Sequence, residues 1–370
     1  MSALAFLTAE LERLRDAELL RAPHTPPPGA LTLCSNDYLG YARRAPGRVP
    51  AGDFGAGASR LVSGERPAHA TLEHALARWV GCDACLAFSS GYAANVGALA
   101  CLAGRGDLVI SDELNHASIV DGCRLSRASV QVVPHCDLGA VERALAGAGS
   151  ARRRFVVTES YFSMDGDGPD LGALRRLCDA HDAVLYVDEA HALGILGPAG
   201  RGRAAEAGVT PDVLVGTLGK ALGLQGAFVA GRRELRDWLW NRARSFVFST
   251  GMSPALCEVA ASRVEEVARD DAGRARLDAV TRALRAGLAE LGAPVAPSFG
   301  PILPWLVGAA GEAVRLARAL EARGVFVQAI RPPTVPEGTA RLRIGLHAEL
   351  EPHDVARALG AFAALLAPRP

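Results

Sequence analysis

Lysine is almost missing from this chain of 370 residues: of its 40 lysine and arginine positions only Lys220 carries an amine, and the rest are guanidinium groups. Arginine replaces lysine in most surface ion pairs, but it stays protonated and cannot act as the nucleophilic amine of a Schiff base. A lone lysine is therefore either a leftover of an Ala/Arg/Gly-biased composition or a residue kept for its amine. Net charge is missing as well, with 40 basic against 40 acidic side chains. That balance excludes a nucleic-acid footprint and a disordered acidic tail. No apolar run approaches the roughly 20 residues that span a bilayer. The start, MSALAFLTAELERLRDAELLR, has acids in its first turns and lacks the basic region and cleavable apolar core of a signal peptide, so a cytoplasmic protein is expected. No second Cys/His pair stands at zinc spacing from Cys82 and Cys85, so this C-x-x-C reads as packing at the start of an apolar strand, and no metal is expected. The other cysteines are scattered through apolar stretches, as small buried thiols are in a reducing compartment.

Short apolar runs and helix-like segments alternate between residues 84 and 230: CLAFSS, DLVISD, VQVVP, FVVTES, AVLYVDEA, DVLVGT and AFVAG. The stretches between several of them, LGAVERALAG and LGALRRLCDAH among them, repeat apolar residues three and four apart. This alternation predicts an α/β fold with a mainly parallel sheet. After Pro254 the pattern becomes long Ala/Arg/Leu/Glu helices with the short strands VFVQAI and ARLRIGL, which reads as a smaller α+β domain. The expected organisation is an N-terminal helix and arm over 1–45, a large α/β domain over 46–255 and a small C-terminal domain over 256–370.

In parallel sheets ligands collect at the carboxyl ends of strands. Asp188 ends AVLYVD and His191 follows three residues later. A buried carboxylate there needs a cationic partner, and a protonated pyridine nitrogen is one. Ser89-Ser90-Gly91-Tyr92 follows the strand CLAF and opens a helix, where backbone N–H groups face an anion. Thr217, three residues before Lys220, and Ser249 and Thr250 in FVFSTGMS offer hydroxyls to a phosphate. Singly, each also fits an ordinary role: helix cap, core histidine, strand-to-helix turn. Together they meet the requirements of pyridoxal phosphate: an amine, an acid at the ring nitrogen, a partner for the phenolic oxygen, a group over the ring face and a phosphate cup.

The ordered motifs SNDYLG (35–40), GAGASRLVSG (55–64), SSGYAAN (89–95), NHAS (115–118), TESYFSMDGD (158–167), VDEAH (187–191), TLGK (217–220), FST (248–250) and IRPPTVPEGTARLRI (330–344) run nearly end to end. By these the chain resembles the α-oxoamine synthase family of fold type I pyridoxal-phosphate enzymes. The resemblance implies a large domain with a mainly parallel sheet and a smaller α+β domain. It makes Lys220 the Schiff-base lysine, Asp188 the ring-nitrogen partner and His116 the group stacked on the ring, with His191 and Ser163 near the phenolic oxygen. It places the phosphate on the backbone at Gly91 and Tyr92 and on Thr217, with Ser249 and Thr250 reaching it from the neighbouring subunit of a homodimer. It assigns Arg343 to the amino-acid carboxylate, a bidentate task, and Arg21, Arg331 and Thr334 to the acyl substrate.

IRPPTVP and SRLVSG resemble the branch that joins L-alanine to a pimeloyl thioester, of coenzyme A or a carrier protein, in biotin biosynthesis. Sister acyltransferases that use glycine or serine, such as glycine C-acetyltransferase, 5-aminolevulinate synthase and serine palmitoyltransferase, share the lysine, the acid and the histidines. A non-enzymatic pyridoxal-phosphate regulator would carry a basic DNA-binding segment, and none is attached. Ala58 and Ala227 stand where the family often has glycine, which alters loop packing without removing a functional group.

Overall fold

The apolar runs become seven strands in the computed structural model, which describes residues 3–47 and 53–367. They are β1 (Ala84–Phe88), β2 (Leu108–Asp112), β3 (Ser129–Val133), β4 (Arg154–Glu159), β5 (Ala183–Asp188), β6 (Val213–Thr217) and β7 (Ala227–Gly231). They form one sheet in the order β1-β7-β6-β5-β4-β2-β3. The β2/β3, β2/β4, β4/β5 and β5/β6 pairs are parallel, and β7 is antiparallel to both its neighbours. Parallel neighbours need crossovers, and the helices Ala117–Ser126, Leu138–Ala146 and Leu171–Ala180 provide them. Side chains alternate across the sheet with period two. Phe155 and Val157 of β4 and Tyr186 of β5 join a core with Leu99 and Ile119 on one face. Val156, Leu185 and Val187 join Val141 and Leu174 on the other. Both faces are covered, which is why the central strands read as continuous apolar runs. Strand β3 lies at an edge, and four of its five residues are exposed.

This topology gathers strand ends at one edge. Glu159 and Asp188 are register partners at the carboxyl ends of β4 and β5. Thr217 ends β6, with Lys220 three residues on, and Ser89 follows β1.

Chain contacts separate this body, residues 36–47, 53–162 and 167–275, from a second unit of residues 3–35, 163–166 and 276–367. The second unit holds an antiparallel sheet of β8 (Ile302–Gly308), β9 (Gln328–Ile330) and β10 (Ala340–Gly345), with β10 in the middle. The four-residue segment 163–166 belongs to it through two buried arginines of β10. Arg343 donates from Nε to the Ser163 carbonyl at 2.5 Å, and Arg341 pairs with Asp165 and donates to the Met164 carbonyl at 3.3 Å. Gly166 completes the fastening: its φ is +67°, and a Cβ there would stand 2.6 Å from the Ile302 carbonyl oxygen. Among the described residues no helix is long and apolar enough to cross a membrane.

Arg60 organises the glycine-rich loop. It opens the π-helical turn Arg60–Gly64 and is 5% exposed. Its guanidinium pairs with Glu65 and, at 2.5 Å, with the buried Glu73, and its carbon lies 5.0 Å from the Trp240 ring centroid. The same Glu73 oxygen accepts the Ala87 N–H of β1 at 2.9 Å. The loop is thereby tied to the strand that leads to Ser89. Arg60→Met leaves the Glu73 carboxylate with the Ala87 N–H and Arg236 at 3.8 Å in partial compensation. Breaking a buried pair from one side costs about 3–5 kcal/mol. Urea unfolding should therefore show a loss of about that size in Arg60→Met, with much of it recovered in Arg60→Met/Glu73→Leu; a loss below about 1 kcal/mol would contradict the pairing.

Candidate active site

Asp188 is 6% exposed, yet both its oxygens are engaged. Oδ1 accepts the Ala190 N–H at 2.8 Å, and Oδ2 accepts the Asn95 carboxamide at 2.7 Å. Asn95 lies on the helix Gly91–Leu102, which the SSG turn launches from β1. Its carboxamide is fully used: Nδ2 also donates to Ser118 Oγ at 2.9 Å, and Oδ1 accepts from Tyr186 OH at 2.8 Å. These bonds fix the plane of the Asp188 carboxylate.

Beside it, Glu159 is fully enclosed. Burial first, and then the Asp188 charge, push its carboxyl up to about 8, while Lys220 and the His116 backbone N–H pull the other way. That N–H donates to Glu159 Oε1 at 2.7 Å. His116 caps the helix Ala117–Ser126, and its Nδ1 lies 2.7 Å from Ser118 Oγ. Burial lowers the imidazole's proton affinity, Asp188 opposes this, and Lys220 adds to it. A neutral, capped ring is the result. Lys220, Asp188, Glu159 and His116 thus lie in one electrostatic neighbourhood within the large unit.

His191 meets Tyr38, whose hydroxyl is 2.7 Å from its Nδ1 and whose side chain is fully buried. The Thr217 hydroxyl works inside the turn, donating to the Gly226 carbonyl at 3.1 Å and accepting the Gly219 N–H at 3.1 Å. This turn leads into Lys220. Its approach requires glycine at 216, where a Cβ would fall 2.4 Å from the Phe228 ring and 2.5 Å from Leu193.

Ser90 caps the Gly91 helix, accepting the Ala93 N–H at 3.1 Å. The N–H groups of Gly91 and Tyr92 open that helix and have no intrahelical acceptor. Open space stands where a Cβ of Gly91 would be. Ser89, Ser249, Thr250 and Arg60 line one small cavity within a single protomer. The Tyr92 side chain points elsewhere, its hydroxyl donating to Asp121. A helix start whose first N–H groups lack intrahelical acceptors, an open glycine and nearby hydroxyls fits a phosphate. A partnered strand-end carboxylate with the one lysine close by fits a protonated pyridine and its aldehyde. The residues present therefore fit pyridoxal phosphate.

The other expected substrate contacts lie in the second unit. Arg343 is 4% exposed, its guanidinium oriented by the Ser163 carbonyl. Arg21 and Thr334, 313 residues apart, are brought to 3.3 Å, and Arg331 donates to the carbonyls of Glu18 at 2.6 Å and Leu20 at 3.4 Å.

Asn95, Tyr38 and Glu159 are residues for which the sequence alone supplies no role, although all three sit inside its motifs. A usable signal exists for Glu159, an acid that ends the apolar run FVVTE. Asp112, His135 and Cys136 also cluster. Both ring nitrogens of His135 face carboxylates, Asp112 at 2.9 Å and Asp167 at 3.1 Å. Burial opposes the charge, but these bonds outweigh it and hold His135 up at about 12, so it is an imidazolium bridge.

Residues 28–362 match the family model of aminotransferase class I and II. The 8-amino-7-oxononanoate synthase of Anaeromyxobacter dehalogenans (strain 2CP-1) is 50% identical over 100% of this chain and 96% of its own length. Among solved structures, a variant serine palmitoyltransferase from S. paucimobilis with bound PLP is similar at a TM-score of 0.88 and 28% identity, covering 98% of both chains. The 8-amino-7-oxononanoate synthase of Francisella tularensis is similar at a TM-score of 0.79 and 25% identity, over 91% of this chain and 98% of that one. By sequence and by fold, the chain belongs to the aminotransferase class I and II family.

Proposed function

We propose that this enzyme condenses L-alanine with a pimeloyl thioester, of coenzyme A or a carrier protein, to give 8-amino-7-oxononanoate, carbon dioxide and the free thiol, the acyl-transfer step of biotin biosynthesis. The observation that carries the reading is the chain's only lysine, Lys220, in the same electrostatic neighbourhood as the buried, hydrogen-bonded Asp188. The likeness to synthases of that name over the whole chain supports the substrates.

Lys220 would hold pyridoxal phosphate covalently, with Asp188 at its ring nitrogen, His116 on its face, His191 and Ser163 near its phenolic oxygen, and Gly91, Tyr92, Thr217, Ser249 and Thr250 at its phosphate. Bound there, the cofactor supplies an electron sink for negative charge at the carbon beside the amino nitrogen. Arg343 grips the alanine carboxylate through a guanidinium whose plane Ser163 already sets. The Lys220 amine would take the alanine Cα proton as general base and return a proton after carbon dioxide leaves. Asp188, held in place by Asn95 and Ala190, would present its carboxylate to the ring nitrogen. Neutral His116 can cover the ring without adding a competing positive charge. Arg21, Arg331 and Thr334 receive the acyl chain's far end.

A homodimer with shared sites fits the exposure of Phe248 at 72%, next to Ser249, and of Val62 at 80% and Phe54 at 86%. Eight free cysteines fit the reducing cytoplasm.

Purified enzyme given L-alanine and pimeloyl-CoA should release 8-amino-7-oxononanoate, read by mass spectrometry. The similarity to serine palmitoyltransferase makes the sister acyltransferases the competing reading; turnover with serine or glycine but not alanine would establish one of them instead.

The Glu159 carboxyl gives a pH signature. Its proton affinity in the folded chain is raised to about 8, above its ordinary 4.5, so the folded state binds more protons between these limits. Its contribution is fully present below the ordinary value and is lost as pH rises through 8. In cofactor-free protein, wild type should therefore lose urea stability relative to Glu159→Gln between pH 5 and 8.5, the glutamine keeping the acceptor for the His116 N–H. Parallel pH profiles for the two proteins would contradict the buried neutral carboxyl.

A further inference from the structure

The C-x-x-C pair lies outside the cofactor site, at the opposite end of β1. Its backbone is fixed on both sides. Gly81, at φ +76°, ends the helix Pro67–Val80, and the N–H groups of Gly81 and Cys82 both reach the Ala77 carbonyl, at 2.9 and 3.0 Å. Cys85 is locked in β1 opposite Ala230 of β7. Between these anchors the two sulfurs stand 3.8 Å apart. Cys85 is 3% exposed, whereas Cys82 is partly exposed and lines a surface cavity with Val80, Gly81, Arg201, Pro211 and Gly231.

We propose that Cys82 and Cys85 form a reversible two-electron redox pair, with Cys82 as the thiol that meets a hydroperoxide and Cys85 as the one that closes the disulfide. In the first step the Cys82 thiolate attacks one peroxide oxygen: an S–O bond forms, the O–O bond breaks, and the leaving hydroxide takes a proton and departs as water. In the second, the Cys85 sulfur displaces the hydroxyl from Cys82 as water and an S–S bond forms. Two thiols and one hydroperoxide give one disulfide and two waters (or water and an alcohol), and a small thiol reverses the change.

The environment separates this pair from the other cysteines. The contact with the Cys85 sulfur, aided by the Gly231 backbone, lowers the Cys82 thiol against the effect of burial. Burial pushes Cys101, Cys178 and Cys257 up to about 12 and Cys123 to about 11, and it also raises Cys34, Cys85 and Cys136. The thiolate is the reactive form, so oxidation is directed to Cys82. Neither cysteine is among the residues assigned to cofactor or substrate, so the pair stands or falls independently of the proposed reaction.

The test is treatment of the native holoenzyme with one equivalent of hydrogen peroxide, followed by alkylation and peptide mapping. Arg78 and Arg105 bound a tryptic peptide that carries Cys82, Cys85 and Cys101. That peptide should take up one alkyl group instead of three and weigh two hydrogens less besides, with the link between Cys82 and Cys85, and dithiothreitol before alkylation should restore all three. Cys82→Ser should slow the first thiol loss by about tenfold or more. In Cys85→Ala, Cys82 should stop as a sulfenic acid captured by dimedone. First oxidation at any of the other six cysteines, or dimedone capture of Cys82 in the wild type with no link, would overturn the proposal.

Discussion

Two carboxyl groups buried side by side at the ends of neighbouring parallel strands are the constraint around which the large unit is arranged. Glu159 and Asp188 are register partners, and a low-dielectric site cannot hold both as unpaired anions. The chain resolves the conflict by dividing the roles. Asp188 receives two hydrogen bonds; Glu159 is driven toward its neutral form and holds the His116 backbone. Lys220 is the cation that this arrangement calls for. A guanidinium there would satisfy the charge and offer no amine, which gives physical meaning to a chain with 40 basic positions and one lysine.

The surrounding fold serves to hold that edge still. The two hydrophobic layers fix β4 and β5 by alternate side chains, and one of them also holds Val213 and Val215 of β6, so the ends of these strands have little freedom. Buried arginines do the work that lysine does elsewhere, with planar, multidentate contacts: Arg60 ties a loop to β1 through Glu73, and Arg341 and Arg343 fasten segment 163–166 to the second sheet. Their permanent charge suits structural pairing.

The sheet was legible in the sequence because strand periodicity and buried parallel strands are local signals: each of the seven runs needs only its own five or six residues to be read. The family was legible for a different reason, the order of many short motifs. The hydrogen-bond partners were not. Asn95 reaches Asp188 across 93 residues, Tyr38 reaches His191 across 153, and Arg21 reaches Thr334 across 313. No period or composition encodes such pairs, since they arise only when the chain closes on itself. Thr217 shows the converse: a hydroxyl beside the lysine reads as a ligand contact, and the structure also engages it in the turn that presents Lys220.

The central claim is that Lys220 is the covalent amine of a cofactor enzyme, and borohydride reduction of the purified protein tests it most directly. The account predicts a visible band that responds to L-alanine, and after reduction a single pyridoxyl label that maps to Lys220. Label elsewhere, or no label after loading with pyridoxal phosphate, would contradict it.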